Sequence, residues 1–307
     1  MRPLLLTPGD PRGVGPEISV AALQKSGIDA LLLGDEAALR AHAPELQVVE
    51  EVGAGRGLRL LRLPPGEEPV EVRALRQATA LCLSGQARGL VTGPIHKARL
   101  QARGFRHTGH TDFLGELCGV PNPIMAFVGG QDPRGNPLRV ALVTVHLPLR
   151  KVPDALTIPG ILHTIRVTAA ALRLHLRLPQ PRIAVCGLNP HAGEEGVLGG
   201  EEIAIIGPAC ALARAEGLEV WGPISAETAF IEAERSDCIV AMYHDQALVP
   251  LKALGFGRCV NWTLGLPILR TSVDHGTADH LVGTGKARPD SMIAALELAD
   301  QLSRPTE

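Results

Sequence analysis

CIVAMYHDQALVPLK, residues 238–252, holds the decisive pattern: an apolar run that ends at His244, followed at once by a segment with helical spacing. A short aliphatic run reads as a buried strand and the 3.6-residue spacing after it as a helix, so the pair is one strand-to-helix step. The step recurs outward from there. LRVALVTVH (138–146) ends in His146, and RIAVCG (182–187) reaches His191 through LNP. Further aliphatic runs lie near residues 4, 30, 89, 124 and 259, with helix-length segments at 70–84, 155–176, 201–216 and 245–254. Strands alternating with helices predict an α/β architecture with a substantially parallel sheet. Ligand sites in such sheets form beyond the carboxyl ends of the strands, so His146, His191 and His244 can converge on one point. Three neutral imidazoles with an open position suit zinc, cobalt or another borderline ion better than magnesium; hydrogen-bonded loop histidines are the alternative. Asp245 can orient an imidazole, serve as a base, or cap the helix that starts there.

The chain has 307 residues, 45% of them hydrophobic, with 30 basic and 32 acidic side chains. At about 150 residues per domain this favours two domains. A net charge of -2 supplies no global field for nucleic acid or an anionic membrane, and Tyr243, Trp221 and Trp262 are too few to build a base-stacking platform. A small-molecule site is the better expectation. Cys82, Cys118, Cys186, Cys210, Cys238 and Cys259 are widely spaced and read as reduced, buried residues of a cytoplasmic protein. The N-terminal three-leucine run is too short for a signal peptide. The apolar stretch 155–178 carries His163, Arg166, Arg173 and His175, so it reads as an amphipathic helix and not a membrane span. The Gly-rich GGQDPRGNP at 129–137 is expected to be a hinge or crossing.

Several features suit an anion. Lys97, Lys252 and Lys286 sit in or beside glycine-punctuated segments, and Arg270 in LPILRTS can hold a carboxylate or phosphate by two parallel hydrogen bonds. TPGDPRGVGPE (7–17) ends a strand and opens a helix with Pro16 at its start, which leaves backbone N–H groups to face an anion. No G-x-G-x-x-G follows a strand and opens a helix, so a Rossmann site is not supported. HGTADHLVGTGKARP (275–289) instead suits an adenosine pocket, with close backbone approach at Gly276, Gly283 and Gly285 and a hydroxyl at Thr277.

That last segment resembles the adenosine loop of the isocitrate and isopropylmalate dehydrogenase superfamily. With GDPRGVGPE (9–17), VTGPIHK (91–97), GHTDFL (109–114), TVHLPLR (144–150), GLNPHAGE (187–194), MYHDQ (242–246), LKALGFG (251–257) and NWTLGLPILRTSVDHGTA (261–278), nearly the whole chain resembles the 4-hydroxythreonine-4-phosphate dehydrogenase family. Val145 departs from the family, which often has a second threonine there. The resemblance implies a two-domain isocitrate/isopropylmalate dehydrogenase-like fold with an active-site cleft between the domains. Residues 1–128 with 256–307 would form the first domain and 129–255 the second. It implies His146, His191 and His244 as ligands of one divalent ion per subunit, zinc first and cobalt or magnesium as alternatives, shared across a homodimer. It further implies substrate contacts at His110, Thr111, Lys252, Asn261 and Arg270, and NAD, or else NADP, on His275, Gly276, Thr277, Ala278, Gly283 and Gly285.

The implied reaction oxidises the C3 hydroxyl of 4-phosphooxy-L-threonine to 2-amino-3-oxo-4-phosphooxybutanoate, which decarboxylates to 3-amino-2-oxopropyl phosphate, a precursor in vitamin B6 synthesis. Asp245 is the candidate proton acceptor. The competing readings are a threonate or erythronate 4-phosphate dehydrogenase, a phosphate acyltransferase on a related fold, and a metal-storing protein without catalysis.

Overall fold

The computed structural model describes residues 2–255 and 257–304; Phe256, at the expected second domain boundary, lies outside them. Twelve strands form in chain order: β1 (Leu4–Thr7), β2 (Ala30–Leu32), β3 (Gln47–Val49), β4 (Arg59–Leu61), β5 (Leu90–Thr92), β6 (Ile124–Gln131), β7 (Pro137–Leu142), β8 (Arg182–Cys186), β9 (Glu219–Ile224), β10 (Cys238–Ala241), β11 (Val260–Leu264) and β12 (Arg270–Val273). The chain divides into two compact units, Met1–Pro123 with Val260–Glu307, and Ile124–Cys259.

In the first unit the strands run in the order β3-β4-β2-β1-β5-β12-β11. All pair in parallel except β11 with β12, which are antiparallel with Asn261 opposite Ser272 and Thr263 opposite Arg270. The core is aliphatic, as the scarcity of aromatics requires: Leu5, Leu31, Leu33, Leu75 and Leu90 pack around Phe113. Truncating such a leucine to alanine typically costs about 2–5 kcal/mol. The helix Gly15–Ser26 starts with Pro16 in its first turn, where a missing N–H costs nothing, and ends at Gly27 in the left-handed region.

In the second unit the order is β6-β7-β10-β8-β9, with β7, β10, β8 and β9 parallel. GGQDPRGNP is neither hinge nor crossing. It closes the antiparallel β6–β7 hairpin, where the Asp132 carboxylate accepts from the N–H groups of Arg134 and Asn136 at 2.9 and 2.8 Å. The long apolar stretch forms the helix Ile158–Leu176, started by Thr157, whose hydroxyl accepts from the Gly160 N–H at 3.1 Å. Among the described residues no single helix is long and apolar enough to cross a membrane. The six cysteines are free thiols, and burial pushes Cys186 and Cys238 up to about 12, which keeps them inert.

Candidate functional site

In the second unit, β7, β10 and β8 are neighbours and parallel, so their carboxyl ends share one edge of that sheet. His146 follows β7, and His244 opens the helix His244–Gly255 after β10. The two segments are tied where they leave the sheet: the Thr144 hydroxyl donates to the Met242 carbonyl at 2.7 Å, and Val143 N–H to Ala241 at 2.9 Å. The imidazoles of His146 and His244 consequently lie side by side, ring centres 5.6 Å apart. The His244 Nδ1 is bonded to the Asp245 carboxylate at 2.7 Å, which orients the ring and turns Nε2 away from that carboxylate. Asp245 thus sits within the first helical turn, where it holds an imidazole and does not cap the helix.

His191 takes a different course. Residues 191–195 all have positive φ, from 44° to 81°, a left-handed turn that costs roughly 1–2 kcal/mol for each non-glycine residue. The buried Glu202 carboxylate holds it: one oxygen accepts from the N–H groups of Leu188 and Asn189 at 2.7 and 2.8 Å, the other from the Asn189 side chain at 3.0 Å. Gly193, at φ +81°, suits the turn: a β-carbon there would crowd Glu202 Oε2 at 2.6 Å and the Gly199 carbonyl oxygen at 3.0 Å. His191 itself is exposed, with Nδ1 3.4 Å from Glu227. Among the described residues no group of three or more His, Cys, Asp or Glu side chains is arranged to hold a metal ion. The structure brings two of the three expected ligands together within one chain and carries the third elsewhere. Glu202, whose carboxylate anchors Leu188 and Asn189 in the segment leading to His191, carries no motif signal in the sequence. Glu202→Ala should cost about 2–4 kcal/mol in urea unfolding, since it strands three donors of a buried carboxylate.

Lys252 lies two turns along the His244 helix and is half-buried. The other expected substrate residues belong to the first unit. Arg270, 2% exposed, projects from β12 on the face where Asn261 and Thr263 emerge from β11. Its guanidinium donates to Thr92 Oγ1 at 2.7 Å, Thr263 Oγ1 at 2.9 Å and Asn261 Oδ1 at 3.4 Å, while Nε has no partner. Among the described residues no carboxylate pairs with it, and burial pushes its pKa down to about 9. A buried cation held by neutral groups is an arrangement for a visiting anion. His110 and Thr111 open the helix His110–Cys118. His110 Nε2 is buried without a partner, and burial, with Arg270 and Lys97 close by, holds the imidazole well below its usual range, so it is neutral at pH 7.

The expected nucleotide loop is docked on the turn after β1. Val14 N–H donates to the Thr277 carbonyl at 3.0 Å. Asp10, 1% exposed, accepts from the Arg12 N–H and from Arg99, each at 2.9 Å, and Arg99 reaches on to Asp279. The Thr277 hydroxyl and Arg99 hold the Asp279 carboxyl below its usual range. His275 Nδ1 is bonded to the Gly276 carbonyl at 2.8 Å; Ala278, Gly283 and Gly285 all have positive φ. Gly9 is forced by contact: its φ is +87° and an added β-carbon would meet the Pro94 carbonyl oxygen at 2.0 Å.

Residues 28–299 match the family model described as pyridoxal phosphate biosynthetic protein PdxA. The chain belongs to the PdxA family. A relative from Stenotrophomonas maltophilia, named 4-hydroxythreonine-4-phosphate dehydrogenase, is 44% identical over 327 residues, covering 99% of this chain and 98% of that protein. The crystal structure of a 4-hydroxythreonine-4-phosphate dehydrogenase from Klebsiella pneumoniae is similar with a TM-score of 0.88 and 37% identity, over 99% of this chain and 100% of that one. Isocitrate dehydrogenase from Methylococcus capsulatus, at 15% identity and a TM-score of 0.50 over 97% of this chain and 85% of that one, shares the fold alone. This PdxA-family chain is therefore an oxidoreductase of the isocitrate dehydrogenase-like fold. The acyltransferase and metal-storage readings are set aside.

Proposed function

We propose that this protein oxidises 4-phosphooxy-L-threonine at its C3 hydroxyl with NAD, or NADP in its place, to give 2-amino-3-oxo-4-phosphooxybutanoate, which loses carbon dioxide to give 3-amino-2-oxopropyl phosphate. The observation that carries this reading is Arg270, a buried guanidinium with an unpartnered Nε and only neutral oxygens around it. Such a group is stabilised when a phosphate or carboxylate arrives, and the binding energy fixes the substrate's orientation. His110, neutral, has Nε2 available for a hydrogen bond to the same ligand, and Asn261 and Thr111 supply further polar contacts. Lys252 would meet the substrate's other charged end.

His146, His191 and His244 would hold one divalent ion. The donor chemistry fits zinc or cobalt: two imidazoles adjacent in one chain, one of them with its second nitrogen fixed by a carboxylate. His191 would come from a second copy. Leu147, Leu149, Val197, Leu198 and Ile203 flank these histidine segments and are exposed, an apolar surface that a homodimer would cover. When bound, the ion lowers the pKa of the substrate hydroxyl and offsets the charge that develops on the ketone oxygen during decarboxylation. Asp245, held against His244, is the candidate acceptor of the hydroxyl proton. The adenosine would lie on His275, Gly276, Thr277, Ala278, Gly283 and Gly285, with Arg99 keeping that loop against Asp10.

The test is a comparison of substrates at low concentration. NAD reduction with 4-phosphooxy-L-threonine is expected to exceed that with threonate or erythronate 4-phosphate by at least about tenfold in kcat/KM, about 1.4 kcal/mol of discrimination. The reverse order would assign the protein to sugar-acid breakdown.

A further inference from the structure

Lys97 opens the short helix Lys97–Gln101, and its side chain runs to the start of the helix His110–Cys118. A β-carbon placed on Gly109 would stand 3.3 Å from Lys97 Cε and 3.6 Å from Nζ, so the glycine is what lets the ammonium lie there. That helix has nine residues and no side-chain cap, which leaves first-turn N–H groups facing outward. Asp112, the acid of that turn, is engaged by the Thr108 N–H at 3.0 Å and stands 3.6 Å from His107. Among the described residues no carboxylate pairs with Lys97. Its charge and that of Arg270 both bear on His110, whose buried Nε2 has no partner.

We propose that Lys97 is a further substrate contact: with the N-terminus of the helix His110–Cys118, His110 and Arg270 it forms the subsite for a phosphomonoester dianion. The inference rests on the phosphorylated-substrate reading above. Charge matching supports it. A phosphate monoester carries about -1.5 to -2 at pH 7, which Arg270 alone leaves half-balanced and Arg270 with Lys97 neutralises. The buried guanidinium would give fixed geometry, and the exposed ammonium a mobile point charge that follows the anion in from solvent.

The test uses the intact protein, Lys97→Met, Lys97→Arg, and Lys25→Met as a charge-loss control at the far end of another helix. Lys97→Met is expected to raise both the KM for 4-phosphooxy-L-threonine and the inhibition constant of inorganic phosphate by roughly 10- to 100-fold. Turnover at saturation and the KM for NAD should stay within about threefold, Lys97→Arg should recover most of the loss, and Lys25→Met should behave as wild type. An unmoved KM and inhibition constant in Lys97→Met, or a loss in kcat alone, overturns the assignment. Should the wild type fail to turn over this substrate, the proposed function fails, and the phosphate-induced rise in Tm still decides the subsite: present in wild type and weaker in Lys97→Met if it is correct, equal in both if it is wrong.

Discussion

Arg270→Met is expected to lower kcat/KM for the phosphorylated substrate by about a hundredfold to a thousandfold without lowering Tm in the absence of anions by more than about 3 °C. Burial holds the guanidinium at about 9, well below the range of an exposed arginine. The folded protein thus binds this proton less tightly than the unfolded chain does, so at neutral pH the buried charge costs stability, a cost that falls only as pH rises through 9. An arriving anion removes it. Inorganic phosphate should therefore raise the Tm of the wild type and not that of Arg270→Met. A variant that keeps its KM and its response to phosphate would show that Arg270 is a structural residue.

Removing an imidazole from the proposed ion site should have the larger effect. His244→Ala and His146→Ala are each expected to lose bound metal and at least about a thousandfold in turnover, several kcal/mol of stabilisation. Asp245→Asn should cost about 10- to 100-fold in metal affinity or activity, as loss of a carboxylate behind a ligating imidazole does. Unchanged turnover at normal metal content would remove Asp245 from the mechanism. Because His191 is not grouped with His146 and His244 within one chain, the site invites complementation. Co-expressed His191→Ala and His244→Ala subunits should recover about a quarter of wild-type activity, since half the dimers are mixed and each mixed dimer has one intact site. No recovery would place all three ligands in one subunit.

Much of this was legible in the sequence, for local reasons. The steps at 138–146 and 238–252 set strand, turn and histidine within a few residues of one another, so His146 and His244 follow from the pattern that makes the sheet. The strands that escaped notice break that pattern: β3 and β4 open on polar residues, Gln47 and Arg59, β9 contains Gly222 and Pro223, and β12 begins with a charge, Arg270, buried in the protein interior. The same distinction governs the sites. The course of the His191 loop depends on Glu202, at the far end of a glycine-rich turn, and Arg270 bonds to Thr92, 178 residues away in the chain. Arg99 joins Asp10 to Asp279 across separations of 89 and 180 residues. No spacing rule reports such contacts; they exist only once β1, β5 and β12 lie side by side. GGQDPRGNP misled because glycine and proline mark a hairpin turn as well as a hinge, and Asp132 decides for the hairpin through its bonds to Arg134 and Asn136.

The most direct test follows reduced nicotinamide and carbon dioxide together when 4-phosphooxy-L-threonine and NAD are added to metal-stripped protein, and again after zinc or cobalt is restored. The expected result is no product from the stripped protein and, after restoration, one carbon dioxide released for each nicotinamide reduced. Full activity in the stripped protein, or no nicotinamide reduction after reloading, would contradict the metal-assisted oxidation of a phosphorylated hydroxy amino acid.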